Sequence, residues 1–138
     1  MDPLNHAEAI LAGNPTPATL QWLRLGFEAH VKFATPLSNA LGFDEYPRGL
    51  PYAIRHKRRK EYLFRALDLI DDGKCTTNSI AQSLASDLNR ILTRARPKNE
   101  YERLLSDALD AHPSASIEAK NLWYLVKEHR SNKRPVHI

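Results

Sequence analysis

The chain has 138 residues, of which 42% are hydrophobic and 26% charged, with 20 Lys/Arg against 16 Asp/Glu and a formal charge of +4. That length can bury a core without disulfides or metal, and the composition argues against wholesale disorder. No run approaches the roughly 20 apolar residues of a membrane span, and the one cysteine, Cys75, excludes an internal disulfide framework. The first residues lack the basic-then-apolar order of a secretory signal, so the expectation is a cytoplasmic protein with no membrane partner.

In chain order, Asp2-Pro3 sets a cap and a first-turn proline, predicting a helix near 3–12 that closes at Gly13-Asn14-Pro15. Thr16-Pro17 repeats the signal and opens a second helix. Its Leu20, Leu23, Phe27, Val31 and Ala34 recur at helical spacing and read as a core face, with Trp22 and Phe33 off the stripe. Thr35-Pro36 breaks the pattern and starts a short helix to Leu41, stopped by Gly42. Residues 43–51 carry two prolines and a glycine and read as a loop.

A long helix is predicted from Pro51 or Tyr52 to Asp72, with Leu63, Ala66, Leu67 and Ile70 facing inward and Gly73 as its terminator. Thr76 or Thr77 caps the cleanest amphipathic pattern of the chain: Ile80, Ala81, Leu84, Leu88, Ile91, Leu92 and Ala95. Pro97 ends it. A helix with Tyr101, Leu104, Leu105, Ala108 and Leu109 follows, ending at His112-Pro113. Ser114 is read as the cap of the last helix, whose inward set is Ile117, Leu122, Leu125 and Val126. With no period-two alternation of any length, the predicted fold is all-α, a single domain of about six helices over residues 1–130, with 131–138 as a basic, frayed tail.

The charge is localised. Residues 55–65 hold six Lys/Arg (Arg55, Lys57, Arg58, Arg59, Lys60, Arg65) against one acid, Glu61, so the remaining 14 bases and 15 acids nearly cancel. Such a cluster at the start of a helix suits phosphate groups, and Arg90, Arg94 and Arg96 extend the candidate footprint. Tyr46, Tyr52, Tyr62 and Phe64 interleave with the cluster. Tyr52 is the one expected to be exposed and available for stacking, and Tyr62 to lie at the core edge.

Ser38-Asn39-Ala40-Leu41-Gly42-Phe43 resembles the end of the positioning helix and the turn of a helix-turn-helix, giving a possible element of that kind around residues 36–70. The departure is in length, because Pro47 and Pro51 delay the next helix by about nine residues where the ordinary turn has three or four. The stretch 81–91 has similar offsets but no break, and reads as continuous helix.

Histidines 6, 30, 56, 112, 129 and 137 show no i, i+4 ligand pairing, no phosphate-binding glycine loop is present, and Cys75 has no nucleophile signature around it. The expectation is therefore no enzyme, no metal and no cofactor. Asp68, Asp71 and Asp72 sit unfavourably at a helix C-terminus, and are expected to pair with cations from elsewhere in the chain. Three functions remain in view. The first is binding of DNA, or RNA, through residues 55–65. The second is docking on an acidic protein surface with Trp22, Phe33, Phe64, Trp123 and Tyr124 as anchors. The third is a structural subunit of a larger assembly.

Overall fold

The computed structural model describes residues 2–93 and 96–133. Among them there are seven α-helices, one 3-10 turn and no strand, so the fold is all-α as predicted. The helices are α1 (Pro3–Leu11), α2 (Pro17–Phe33), α3 (Leu37–Ala40), α4 (Leu50–Ile70), α5 (Thr77–Leu92), α6 (Glu100–Ala111) and α7 (Ala119–Lys133). None is long and apolar enough to cross a membrane. The chain packs as two compact units, Met1–Ile54 and Arg55–Ile138.

The caps of α1 and α2 are those the sequence announces, whereas α3 has Pro36 at its cap position and no side-chain cap from Thr35. The Asp2 carboxylate accepts from the Asn5 amide at 2.8 Å and the Thr16 hydroxyl from the Thr19 amide at 3.1 Å. The inward face of α2 is not the predicted stripe. Leu20, Phe27 and Val31 are 56%, 50% and 79% exposed, whereas Thr19 and Gly26 are buried. Polar and small residues win that face because they meet specific partners. His6 Nδ1 lies 3.2 Å from Thr19 Oγ1, the His6 ring stacks on Trp22 at 4.9 Å, and the Trp22 indole N–H donates to the Leu41 carbonyl at 3.0 Å. Phe43 closes the other edge of Trp22 at 5.8 Å, so this tryptophan is held inside the unit. Gly26 lets the buried Leu41 side chain lie directly on the helix, since a Cβ there would come within 2.3 Å of Leu41 Cδ2.

Helix α2 ends with Ala34 in the left-handed region at φ 53°, and Gly42, at φ 86°, follows α3 as the expected stop. Between α3, a single turn, and α4 lie residues 41–49, including a 3-10 turn at Phe43–Glu45. The short tight turn of a helix-turn-helix is absent from this stretch. Tyr52 is half-buried, with the Arg48 guanidinium 5.0 Å from its ring centroid and donating to its hydroxyl at 3.2 Å.

The second unit is built on leucine. Leu63 and Leu67 of α4, Leu84 and Leu88 of α5, Leu105 of α6, and Leu122 and Val126 of α7 are essentially inaccessible and form one cluster. The period of 3.6 residues puts each set on one side of its helix, and burying a side chain of that size contributes about 1.5–3 kcal/mol. Thr76 caps α5, its hydroxyl accepting from the Ser79 amide at 3.1 Å. Leu92, predicted inward, is 57% exposed because α5 unwinds at the next residue; Ala95 lies outside the described residues.

Ser114 does not cap α7, which begins five residues later. Instead the Ser116 hydroxyl accepts from the Glu118 amide and the Asn121 side chain, while Ile117 packs on the core from the irregular segment. Residues 131–133, read as tail, continue α7, and 134–138 lie outside the described residues.

Candidate nucleic-acid interface

Consecutive helical residues are turned about 100° from one another, so Arg55 to Lys60 cannot share a face. Helix α4 disperses them. Arg59 points inward, 8% exposed, and its guanidinium donates to the Ser116 carbonyl at 2.7 Å. Lys60 reaches across to α7 and pairs with Glu128 at 3.0 Å. Lys57 is half-buried. His56 is not a cation at neutral pH: desolvation lowers its pKa, and Lys60, Arg59 and His112 push in the same direction. His112, whose ring meets that of His56 edge-on at 6.3 Å, is buried and also lowered, first by desolvation and then by Arg59 and Arg55.

What remains outward is a stripe. Arg55, Arg58, Tyr62, Arg65 and Leu69 follow the spacing i, i+3, i+7, i+10, i+14, which keeps them on one side of α4. The three arginines are exposed, and neither Arg55 nor Arg58 makes an ion pair among the described residues. The Arg65 guanidinium lies 5.9 Å from the Tyr62 ring centroid, a cation–π contact on the edge of the core. From Arg55 to Arg65 the stripe rises about 15 Å along the helix axis, at about 1.5 Å per residue. Glu61, the one acid of the segment, is exposed on the flank of the stripe and tempers its potential.

Several other cations of this unit are consumed internally. Arg90 bonds Glu102 at 3.0 Å and lies 3.6 Å from Asp87, while the Tyr101 hydroxyl donates to Asp87 at 2.7 Å, so this group fastens α5 to α6. Arg130 clasps Asp71 with two hydrogen bonds of 2.8 and 2.9 Å and also donates to the Cys75 carbonyl and the Thr77 hydroxyl. Asp68 receives Lys133 and His129. The Asp68 carboxylate is held below its ordinary range by its hydrogen bonds from Lys133 and His129, and Asp71 by its hydrogen bonds from Arg130. Asp68 and Asp71 thus pair within the protein, as the sequence suggested, while Asp72 accepts from the Lys74 amide at 2.9 Å.

Of the ten residues proposed from sequence, Arg55, Arg58 and Arg65 come together on one exposed face. Arg59 and Lys60 turn to the interior and to α7, and Arg90 belongs to the α5–α6 clasp. Arg96 is exposed in the connection after α5, Arg94 lies outside the described residues, and Tyr52 belongs to the first unit. Tyr62 was missed as a member of the stripe, although its spacing from Arg55 and Arg65 was visible once α4 was granted. Comparison with protein-family models, with curated proteins and with solved structures finds no match for this chain.

Proposed function

We propose that the protein binds nucleic acid, with DNA favoured, through the outer face of α4. Arg55, Arg58 and Arg65 contact phosphates and the Tyr62 edge packs beside them. The observation that carries the reading is this exposed arginine stripe in a unit several of whose other cations are engaged: Lys60 with Glu128, Arg90 with Glu102, Arg130 with Asp71 and Lys133 with Asp68. Guanidinium groups are suited to the task, being always charged and able to grip phosphate oxygens with two N–H donors. Anchoring by Leu63 and Leu67 on the buried side of the same turns keeps the stripe rigid, so little ordering cost falls on binding.

Three phosphate contacts on duplex DNA give an expected slope of about −3 for log affinity against log salt. Replacing Arg58 with alanine flattens that slope by about one unit and weakens binding alike across sequences. Titration of duplex DNA at two or more salt concentrations reads both quantities. Retention that R55A, R58A and R65A together leave unchanged at low salt sinks the proposal.

A second reading, docking on an acidic protein surface, draws on α7. Tyr124 is 69% exposed and edge-on to Trp123 at 5.1 Å, and Lys127 lies over the indole at 5.0 Å. Capture of one stoichiometric protein that survives nuclease and about 0.5 M salt would favour it over the first, since phosphate-dominated contacts are screened there.

A further inference from the structure

The apolar stripe of α2 carries three of the exposed large hydrophobic side chains of the first unit. Leu20, Phe27 and Val31 are half or more exposed and Leu23 is half-buried beside them, at spacings i, i+3, i+7 and i+11. Leu25 and Phe33 are exposed too but lie off this line. The unit's own buried face of α2 is already occupied, by Thr19, Gly26 and the partly buried Trp22, so the stripe is free of that packing. An amphipathic face of this regularity is what a second helix covers.

The chemistry of the stripe identifies the second helix. Arg24 and Glu28 border it on one flank, paired at 3.0 Å, with opposite charges four residues apart. We propose that the occupant is α2 of a second copy, lying antiparallel about a twofold axis level with Leu25 and Gly26. In that register Leu20 of one copy faces Val31 of the other, and Phe27 faces Arg24, whose stem is apolar and whose guanidinium can lie on the ring. Glu28 of the other copy lies one residue beyond the position opposite Arg24, within reach of its long side chain, so the intrahelical pair can be exchanged for two intermolecular ones. Every contact occurs twice, which is the requirement of an isologous interface. The apolar pair Leu20–Val31 and the charged pair Arg24–Glu28 are thus centred within half a residue of each other, between Leu25 and Gly26 and on Gly26.

A pairing of two helices of 17 residues is short. Interfaces at the low end of size dissociate readily, and the expected dissociation constant is on the order of 10–100 µM. The proposal rests on the first unit alone and is independent of the nucleic-acid reading.

The test is sedimentation of the full chain from about 5 to about 500 µM, a range that brackets the expected constant. The wild type is expected to pass from monomer to dimer. Val31→Glu, at a position 79% exposed and so tolerant of charge, is expected to keep its helical circular dichroism and to associate at least tenfold more weakly. Arg24→Glu and Glu28→Arg each place like charges across the interface and are expected to weaken self-association. Mixed with one another they are expected to form a heterodimer tighter than either homodimer. An intrahelical role for Arg24 and Glu28 predicts no such gain on mixing. A wild type that stays monomeric throughout, a V31E chain that associates as the wild type does, or a mixture no tighter than its components would each overturn the proposal.

Discussion

The two units reach order by different means. Residues 55–138 bury seven large aliphatic side chains almost completely, contributed by all four of their helices. Among the described residues of the first unit, only His6, Ala7, Thr19, Gly26, Leu41 and Ile54 are buried, and the unit is held by a histidine–threonine contact, an indole hydrogen bond and a close approach at glycine. The second unit is therefore insensitive to detail at its surface and sensitive to volume in its core. The first depends on a few specific contacts and leaves apolar surface outside. A helix with a clean apolar stripe is not thereby a core helix.

The sharpest way to break this contrast is to truncate a leucine in each unit. Leu84→Ala, at a fully buried position, is expected to cost about 3–5 kcal/mol, whereas Leu20→Ala, more than half exposed, is expected to cost below about 1 kcal/mol at concentrations where the chain is monomeric. Urea unfolding of both variants measures the difference; equal costs would mean that Leu20 is buried by the chain itself.

Gly26→Ala tests the first unit at its tightest point. The added methyl gains about 1 kcal/mol in helix propensity but collides with Leu41, and overpacking of this kind costs about 1–3 kcal/mol. Loss of hydrogen-exchange protection confined to residues 3–41 is the expected signature, with the leucine core of the second unit unchanged.

Acid should act on the second unit in two stages. His112 is neutral and buried when folded, with its pKa below the ordinary 6.5, so the unfolded chain binds its proton first as pH falls. Its contribution is fully present above pH 6.5 and is lost on descent toward the folded value. Asp68 and Asp71 have lowered carboxyl values, so their share is present above the unfolded value of 3.8 and fades as pH drops through the folded one. Unfolding free energy against pH should show the first fall in the wild type and a smaller one in His112→Leu, where His56, also lowered, still contributes.

The smallest effect is expected at Ala34, whose left-handed backbone costs a non-glycine residue about 1–2 kcal/mol; after the entropic cost of glycine, Ala34→Gly should stabilise by about 0.5–1 kcal/mol. A shift of the urea midpoint in the other direction would mean that the methyl packs usefully.

Much was legible in the sequence, for identifiable reasons. Caps at Asp2, Thr16 and Thr76 were readable because a side-chain oxygen and an amide three residues on are neighbours in the chain as well as in space. Most of the inward sets of α4, α5, α6 and α7 were readable because periodicity is a property of one helix, with Leu92, exposed at the end of α5, and Ile117, which precedes α7, the departures. Tertiary structure alone decided which of two usable faces α2 turns inward, since Thr19, Gly26 and Trp22 earn their burial from His6 and Leu41, distant along the chain. It likewise decided the fate of the basic run. Six consecutive cationic or titratable residues looked like one surface, and the turn of the helix sent Arg59 to the Ser116 carbonyl, Lys60 to Glu128, and Arg55 and Arg58 outward to join Arg65. Charge density belongs to sequence; which charges face a partner depends on helical phase and on where the acids of other helices fall.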